Sequence, residues 1–358
     1  MSYFENAKKQ AAELLQKEHV RILAIESSCD ETAAAIVEDG RKILSSAVFT
    51  QIDLHALYGG VVPEIASRAH VEKVDRMVDE ALRQADMTLG DVDALAVTCG
   101  PGLVGALLTG VSCAKALAFA SGKPLIPVHH IEGHIAADFL SHPDLEPPFA
   151  CLVVSGGHSH LFAVDDYGVY RVLGQTQDDA AGEAFDKAAR VLDIPYPGGP
   201  LLDKLAEEGD KNALKLPRPH TQGRYDYSFS GLKTAFINAV HNMRQKGETL
   251  PAADLCASFR QAVVSFLVDR AMLAAEELGI RKMALAGGVS ANRLLRREME
   301  SACQKRGIAF YMPQLSLCGD NAAMIASAAY YRLLRGEIAD LTLNARPALQ
   351  LSSAIGKE

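Results

Sequence analysis

Long apolar runs are missing from this chain of 358 residues. No uninterrupted apolar stretch approaches the roughly 20 residues that a membrane-spanning helix requires. The first residues, M-S-Y-F-E-N-A-K-K-Q, are charged and helix-forming and lack the apolar core of a signal peptide. We therefore expect a cytoplasmic protein with no membrane contact, in which the 49% of hydrophobic residues build a large internal core.

Cysteine pairs are missing too. The seven cysteines are an odd number, and none of them forms a C-x-x-C pair. The pattern excludes a zinc cluster of the usual spacing and argues against a disulfide framework. Scattered single thiols are typical of the reducing cytoplasm, which agrees with the expected location.

Net positive charge is the third absence. The chain has 36 Lys and Arg against 44 Asp and Glu, a formal charge of −8, which argues against indiscriminate binding to nucleic acid. A local basic face remains open. Two basic clusters are candidates, although such runs are usually solvated surface. The first is Arg293, Arg296, Arg297, Lys305 and Arg306, and the second is Lys211, Lys215, Arg218, His220 and Arg224.

Strands alternate with helices along the chain, which indicates an α/β architecture. Residues 21–37 and 150–164 each contain an apolar strand, a polar turn and a second apolar strand, which suggests an internal duplication. Residues 282–292 form a further strand and turn before a basic helix, and 195–200 and 216–230 are expected to be irregular loops. We predict a helical extension at 1–20, a first domain at 21–146 and a second domain at 147–358, with a return of the C-terminal segment to the first domain left open.

Two histidines four residues apart, His130 and His134, are the most informative feature. Side chains at this spacing lie on one face of a helix and can hold one metal ion. Residues 122–128 indicate a turn and a short buried strand, so we expect the pair at the carboxyl end of a strand, on the first turn of a helix. A metalloprotease would need a Glu directly after the first histidine, but Ile131 is there and Glu132 lies roughly across the helix. The alternative is a pair of hydrogen-bonded or solvated histidines.

Two glycine pairs follow apolar strands. Ser155-Gly156-Gly157-His158 lies at the tip of the second hairpin, and Gly287-Gly288 lies at a strand-to-helix turn. Glycines let backbone N–H groups approach an anion closely, and a helix N-terminus favours negative charge. Gly-Gly is usually only turn chemistry. Two such turns in a duplicated α/β chain nevertheless favour a nucleotide cleft between the domains.

Nine sequence motifs indicate the same protein family. They are I-E-S-S-C-D-E-T from Ile25, P-G-L-V-G-A-L-L-T-G from Pro101, H-I-E-G-H from His130, V-S-G-G-H from Val154, G-E-A-F-D-K from Gly182, P-G-G-P from Pro197, S-F-S-G-L-K-T from Ser228, G-G-V-S-A-N-R-L from Gly287 and C-G-D-N-A-A-M-I-A from Cys318. Together they resemble the tRNA N6-adenosine threonylcarbamoyltransferases of the bacterial TsaD type. The match runs from about Arg21 to Ser352. The leading residues depart from the family, and we interpret them as a peripheral amphipathic helix.

The resemblance implies the duplicated actin-like, sugar-kinase-like (ASKHA) fold, with a nucleotide in the cleft between two domains. It implies transfer of a threonylcarbamoyl group from threonylcarbamoyl-adenylate to N6 of the adenosine just 3′ of the anticodon (A37), in tRNAs that read codons beginning with A, with release of AMP. In the family two histidines and a distant aspartate bind one divalent metal per subunit, Fe2+ or Zn2+. The matching residues are His130, His134 and Asp320. Without the resemblance we would interpret Asp320 as a helix N-cap.

The resemblance also assigns an adenine nucleotide, threonylcarbamoyl-adenylate with or without ATP, to a set of residues. They are Val153, Val154, Ser155, Gly156, Gly157, Asp186, Gly199, Asp203 and Asn292. A carboxylate can accept from both ribose hydroxyls, although Asp186 could equally pair with Arg190 one helical turn on. The adenosine amine must lose a proton, and Glu31 is the candidate base, with Asp30 as the alternative. Either of these two could instead only shape the cleft.

The implied partners are tRNA, a TsaB-type paralogue that forms a heterodimer through the first domain, a TsaE-type ATPase, and a TsaC-type synthase that supplies the adenylate. An isolated chain is therefore expected to be inactive or weakly active. Two alternatives stay open. A sugar or acid kinase of the same fold would not need His130, His134 and Asp320, and a non-catalytic scaffold paralogue would lack the histidine pair. A protease is excluded by the missing base beside the metal.

Overall fold

The computed structural model describes residues 2–351, so Met1 and residues 352–358, including Ser352 at the end of the family match, lie outside the described residues. Two compact units divide the chain. The first contains Met1–Pro147, Asp165–Tyr170 and Pro313–Glu358, and the second contains Pro148–Val164 and Arg171–Met312. The domain bounds expected from the sequence stay a prediction.

Helices and strands alternate through both units. In chain order they begin with α1 (Tyr3–Leu14), β1 (Arg21–Glu26), β2 (Glu31–Glu38), β3 (Lys42–Thr50), α2 (Ile52–Ala56), α3 (Pro63–Gln84), β4 (Ala94–Gly100), α4 (Val104–Ser121), β5 (Leu125–His129) and α5 (His130–Ser141). They continue with β6 (Phe149–Val154), β7 (Ser159–Asp166), β8 (Val169–Gln175), α6 (Ala181–Val191), α7 (Gly198–Leu205), α8 (Ser230–Gln245), α9 (Ala252–Leu278), β9 (Lys282–Ala286), α10 (Arg293–Gln304), β10 (Ala309–Tyr311) and α11 (Ala322–Leu334).

The sheet of the first unit has the strand order β3-β2-β1-β4-β5. β1 pairs with β2 in antiparallel fashion and with β4 in parallel, and β4 and β5 are parallel. β4 and β5 are mostly apolar and are buried along their whole length, as expected for parallel strands that are covered on both faces. The carboxyl ends of β1, β4 and β5 therefore meet at one edge, together with the start of β2 and the end of β3. We call this the carboxyl edge of the first sheet.

The sheet of the second unit has the order β10-β9-β6-β7-β8, which is the same arrangement listed from the other side. β6 pairs with β7 in antiparallel fashion and with β9 in parallel. The predicted hairpins at 21–37 and 150–164 are confirmed as β1–β2 and β6–β7. The equal order of the two sheets supports the duplication.

Local sequence explains where several helices begin and end. Ser2 and Glu5 form a capping box that starts α1, and the buried Ala7 and Ala11 face the first unit. α9 ends at Gly279, whose φ of 66° is left-handed and favours glycine. The loop predicted at 195–200 is wrong for its second half, because residues from Gly198 form the first turn of α7. Proline is tolerated in a first helical turn, since the N–H groups there have no partner inside the helix.

By length and composition α4 is apolar enough to cross a membrane, and it is the one such helix among the described residues. Its residues Ala106, Leu107, Gly110 and Ala114 are buried in the first unit, and Gly110 lies so close to Ser27 that a Cβ would come within 2.3 Å of its Oγ. A helix packed in this way in a protein core passes the same test. The finding is weak evidence for a membrane span.

The contact between α5 and α11 is tight and carries a buried ion pair. A Cβ on Gly133 of α5 would lie 2.5 Å from Cδ1 of Ile325 and 3.2 Å from Cγ of Met324 on α11, so a larger residue would require these side chains to move. Next to it, Nη1 of Arg332 donates to Oε2 of Glu132 at 2.8 Å, and these side chains are only 4% and 1% exposed. Tyr170 donates its hydroxyl to Oε1 of Glu132. Glu132 is therefore a structural partner of Arg332, which agrees with its exclusion as a hydrolytic base.

We expect Glu132→Gln to lower the free energy of unfolding by about 3 kcal/mol, because it removes one charge of a buried pair. Denaturant titration followed by circular dichroism measures the loss. Glu80→Gln, which removes an exposed helical ion pair with Arg83, is the matched control and should change little. The joint change Glu132→Leu with Arg332→Met should recover most of the stability. Equal losses for Glu132→Gln and Glu80→Gln would contradict the assignment.

Candidate metal centre and glycine-rich turns

His130 and His134 lie where the sequence predicts them, on the first two turns of α5 directly after β5. The helix begins there because Nδ1 of His129 accepts a hydrogen bond from the backbone N–H of Ile131 at 3.1 Å. The rings of His130 and His134 are 4.6 Å apart between centroids, and both side chains are buried. The strand-to-helix junction thus aims two imidazoles at the carboxyl edge of the first sheet.

Asp320 reaches the same place from the far end of the chain. Nε2 of His130 lies 3.5 Å from its Oδ1, and Nε2 of His134 lies 3.3 Å from the same oxygen. The N-cap of α11 is the next residue, Asn321, whose Oδ1 accepts from Met324 N–H and whose Nδ2 donates to the carbonyl of Gly319. Asp320 is therefore not the N-cap, and its carboxylate is presented to the histidines.

These three side chains fit a divalent metal. A tetrahedral ion with bonds of about 2.0–2.1 Å needs donor atoms about 3.3–3.4 Å apart, and the two nitrogen-to-oxygen distances are 3.3 and 3.5 Å. The contact of His134 with Asp320 lacks hydrogen-bond geometry, which leaves both ring nitrogens of this buried histidine without a hydrogen bond among the described residues. Two imidazoles and one carboxylate suit Zn2+ or Fe2+.

Glu26 contacts Nδ1 of His130, while Nε2 of the same ring is the atom near Asp320. The sequence alone did not predict this residue. Its side chain is fully buried at the end of β1, with Oε2 3.2 Å from Nδ1 of His130. Oε2 also accepts from the Thr98 hydroxyl at 2.6 Å, and Oε1 accepts from Ser28 N–H at 2.5 Å. A carboxylate on one ring nitrogen orients the other towards a metal. The only clue in the sequence was an acidic residue that ends a buried apolar strand.

The electrostatics of this group favour a cation. Burial lowers the pKa of His130, but the carboxylates of Asp320 and Glu26 outweigh it and raise the pKa to about 9. Burial, together with the carboxylates of Asp320 and Asp30, raises the pKa of Glu31 to about 10. Carboxylates crowded together hold protons because they repel one another. A divalent ion would relieve the same repulsion.

A second group of possible ligands is a weaker candidate. The ligand atoms of His19, Glu38 and Asp39 also lie within 4.8 Å of one another. Here, however, Glu38 pairs with Arg21 and Lys42 at 3.0 Å each, and Asp39 pairs with the largely exposed His19 at 2.8 Å. The charges of this group are already balanced by neighbouring side chains.

Asp30 ends the turn from β1 to β2 and Glu31 is the first residue of β2, both at the same carboxyl edge. The backbone carbonyl of Asp30 accepts from Gln51 N–H at 3.0 Å. The hydroxyl of Thr50 donates to Oε1 of Glu31 at 3.3 Å. The buried His70 of α3 holds the turn through the carbonyl of Cys29, at 2.9 Å from its Nε2. The structure therefore brings both candidate bases to the edge that carries the three possible ligands.

The two glycine-rich turns lie together in the second unit. β6 and β9 are parallel neighbours, so the turn after Val154 and the turn after Ala286 meet at one edge. A Cβ on Gly287 would lie 2.4 Å from the Val154 carbonyl oxygen, and its φ of 88° also favours glycine. Gly156 and Gly157 are exposed, with nothing within 4 Å of an added Cβ. Their backbone is open to a ligand, as the sequence predicts.

The other residues assigned to the nucleotide hold helices of the second unit in place. Oδ1 of Asp186 accepts from Gly199 N–H at 2.9 Å, which joins α6 to α7. Asp203 pairs with the buried Arg260 at 2.8 Å and accepts from Arg293 N–H at 3.2 Å. Asn292 caps α10. Carboxylate oxygens have two lone pairs each, so both aspartates keep capacity for further donors.

The turn from β4 to α4 also has the glycine spacing G-x-G-x-x-G, from Gly100 to Gly105. A Cβ on Gly100 would lie 2.1 Å from the carbonyl oxygen of Arg346, and one on Gly102 would lie 2.4 Å from that of Ser28. The chain itself fills the space that a dinucleotide would need. Internal packing explains these glycines.

Comparison with known proteins finds one family. A family model described as TsaD, tRNA N6-adenosine threonylcarbamoyltransferase, matches residues 42–327. A relative of that name from Clostridium perfringens (strain ATCC 13124) is 54% identical over 331 residues, which cover 92% of this chain and 98% of the relative. Another from Clostridium botulinum (strain Kyoto / Type A2) is 52% identical over 336 residues, 94% of this chain and 99% of the relative.

Solved structures share the fold. HypF from T. kodakarensis has a TM-score of 0.61 at 15% identity, covering 88% of this chain and 48% of HypF. Component A of the Acidaminococcus fermentans (R)-2-hydroxyglutaryl-CoA dehydratase has a TM-score of 0.52 at 15% identity, covering 89% of this chain and 100% of that chain. Likeness at this identity concerns the fold alone, and it confirms the predicted actin-like (ASKHA) fold.

We expect His134→Ala and Asp320→Ala to lose the metal that the wild-type protein retains after dialysis, because each removes one of three donors. Elemental analysis by mass spectrometry gives the metal per chain. His19→Ala removes a histidine from the second group of possible ligands and should keep the wild-type content. Wild-type metal content in His134→Ala would show that the ion is held elsewhere.

Glu26→Gln should weaken metal binding about tenfold to a hundredfold, because the amide orients His130 less firmly than the carboxylate does. Competition with a chelating dye measures the dissociation constant. Glu38→Gln, at the end of β2, is a control that also removes a carboxylate from the first sheet and should leave this constant unchanged. A Glu26→Gln protein that binds metal like the wild type would reduce Glu26 to a packing role.

Proposed function

This chain belongs to the family of tRNA N6-adenosine threonylcarbamoyltransferases, and we propose that it transfers the threonylcarbamoyl group of threonylcarbamoyl-adenylate to N6 of the adenosine just 3′ of the anticodon (A37), in tRNAs that read codons beginning with A, with release of AMP. The coarser activity follows from the family: the chain is an acyltransferase that modifies adenosine in tRNA. The observation that supports the finer proposal is the buried group of His130, His134 and Asp320 in a chain of this family.

His130, His134 and Asp320 would hold one divalent metal, Fe2+ or Zn2+. Bound there, it would supply a Lewis acid that anchors and polarises the acyl donor. The chain's own contribution is to fix the geometry. Glu26 holds His130 in one orientation, and Asn321 holds the loop that carries Asp320. The substrate is a mixed anhydride with a good leaving group, so positioning and charge neutralisation supply most of the catalysis.

The nucleotide part of the donor would bind the second unit. The exposed backbone of Gly156 and Gly157 supports this, since N–H groups there suit the phosphate, and the neighbouring Ser155 can add its hydroxyl. Val153 and Val154 carry this turn at the buried end of β6, and Gly199 presents its backbone to the base. Asp186 and Asp203 would accept from the ribose hydroxyls, with Asn292 nearby at the start of α10. The same residues would bind ATP if it enters the site.

Glu31 is the proposed base for the adenosine amine. Its place at the carboxyl edge that carries the three possible ligands supports this role. Thr50 fixes one of its oxygens, and Asp30 beside it is the alternative. The sugar or acid kinase alternative leaves these residues and the histidine pair unexplained, and the scaffold alternative does so as well.

Four of the ten residues in the two basic clusters form ion pairs with carboxylates, which lowers the charge that the clusters offer to tRNA. Arg297 pairs with Glu207, Arg306 with Glu276, Arg218 with Asp269 and Arg224 with Glu277. With a net charge of −8, the chain therefore depends on partner proteins for part of its tRNA affinity. The proposed partners are a TsaB-type paralogue and a TsaE-type ATPase, with a TsaC-type synthase as donor supplier, in the cytoplasm.

The proposed heterodimer surface lies on α3 and α4. These neighbouring helices of the first unit expose Val71 (66%), Val104 (55%), Leu108 (42%) and Phe119 (67%). Apolar side chains exposed in such numbers on adjacent helices indicate an interface for another protein. This supports pairing through the first unit.

The test is reconstitution. The chain, its partners, the adenylate-generating synthase, ATP, threonine, bicarbonate and unmodified tRNA are combined, and nucleosides are analysed by mass spectrometry for N6-threonylcarbamoyladenosine. We expect product with the wild type and a loss of at least about a hundredfold with His134→Ala, whereas His19→Ala should retain activity. A complete set of verified partners that yields no product would refute the proposed function.

A further inference from the structure

The loop between α2 and α3 exposes two large apolar side chains in succession. Leu57 is 79% exposed and Tyr58 is 59% exposed. The next residue, Gly59, has nothing within 4 Å of an added Cβ. Apolar side chains that are exposed at a loop tip are candidates for contact with a ligand. Binding residues are also often found on loops that a rigid scaffold holds in place.

A buried histidine fastens both ends of this loop. His55 is fully buried, and its carbonyl accepts from Tyr58 N–H at 3.0 Å and from Gly60 N–H at 3.2 Å. Its Nδ1 accepts from Val62 N–H at 3.4 Å, so its Nε2 carries the proton and donates to Oε1 of Gln51 at 3.1 Å. Both ring nitrogens of His55 are hydrogen-bonded, so this side chain fixes the conformation of the loop that exposes Leu57 and Tyr58.

The loop stands at the carboxyl edge of the first sheet. Gln51 N–H donates to the carbonyl of Asp30, and the Thr50 hydroxyl donates to Glu31 while it accepts from Ile52 N–H. α2 is therefore attached to the turn that carries the candidate base. The loop that follows this short helix is therefore close in the chain to the residues that hold the turn.

We propose that the Leu57–Tyr58 tip contacts the acceptor tRNA, with the ring of Tyr58 stacked on an unpaired base of the anticodon loop. This inference rests on the proposed function. Residues 57–62, L-Y-G-G-V-V, carry no cation, so the contact is with the face of a base and not with phosphate. Proteins bind unpaired RNA bases by stacking them on aromatic rings. A protein partner at the same tip is the competing outcome.

The test compares Tyr58→Ala with Tyr58→Phe in the reconstituted reaction, at saturating partner concentrations. We expect Tyr58→Ala to raise the KM for unmodified tRNA about tenfold to a hundredfold, with kcat and metal content near the wild-type values. Tyr58→Phe should restore the KM, because stacking needs the ring and not the hydroxyl. Leu278→Ala, at an apolar side chain on α9 that is 49% exposed and belongs to no proposed site, is the control and should leave the KM for tRNA unchanged.

Direct binding of fluorescently labelled tRNA to the assembled proteins is measured alongside. An unchanged tRNA affinity and KM in Tyr58→Ala would overturn the inference. So would a loss of affinity for a protein partner with an unaltered KM for tRNA. If the wild type forms no product, the proposed function fails, whereas the binding measurement still decides whether Tyr58 contacts tRNA.

Discussion

The buried contact between the Glu26 carboxylate and the His130 ring is the interaction on which the first unit depends. A carboxylate away from water is costly unless donors surround it. Glu26 finds them in the ring of His130, the hydroxyl of Thr98 and the N–H of Ser28. Ser28 follows β1, Thr98 lies in β4 and His130 follows β5, so one carboxylate ties β1, β4 and the β5–α5 junction together. The same contact turns Nε2 of His130 towards Asp320.

The third possible ligand is placed by helix packing. Asp320 precedes α11, and α11 lies against α5 at the distance that Gly133 permits. The ion pair of Glu132 and Arg332 joins the same two helices. The separation between Asp320 and the histidines is thus a property of the interface between the helices. A side chain larger than hydrogen at Gly133 would first displace Ile325 and Met324 in this interface.

Much of the fold could be predicted because its signals are local. The strands of both hairpins and the helix α9 can be predicted from apolar runs and the turn residues that bound them. The His130–His134 pair can be predicted from a spacing of four residues on a helix. Asp320 could not be found in this way, because 186 residues separate it from His134. Its place was accessible only through resemblance to a family. The support from Glu26 requires the sheet order, which a single sequence does not contain. Residues 198–200 form the start of α7 although the sequence predicts a loop, because two glycines and a proline are typical of loops even where they begin a helix.

The two sheets have the same order, yet their carboxyl edges carry different chemistry. In the first sheet β1 and β5 end in Glu26 and His129 and are followed by further polar side chains, which can surround a cation. In the second, β6 and β9 end in Val154 and Ala286 and are followed by glycines, which offer backbone N–H groups to an anion. Metal ions need side-chain donors, whereas phosphates are held well by bare backbone. One scaffold thus has two such edges, and the residues at the strand ends suit one edge to a cation and the other to an anion.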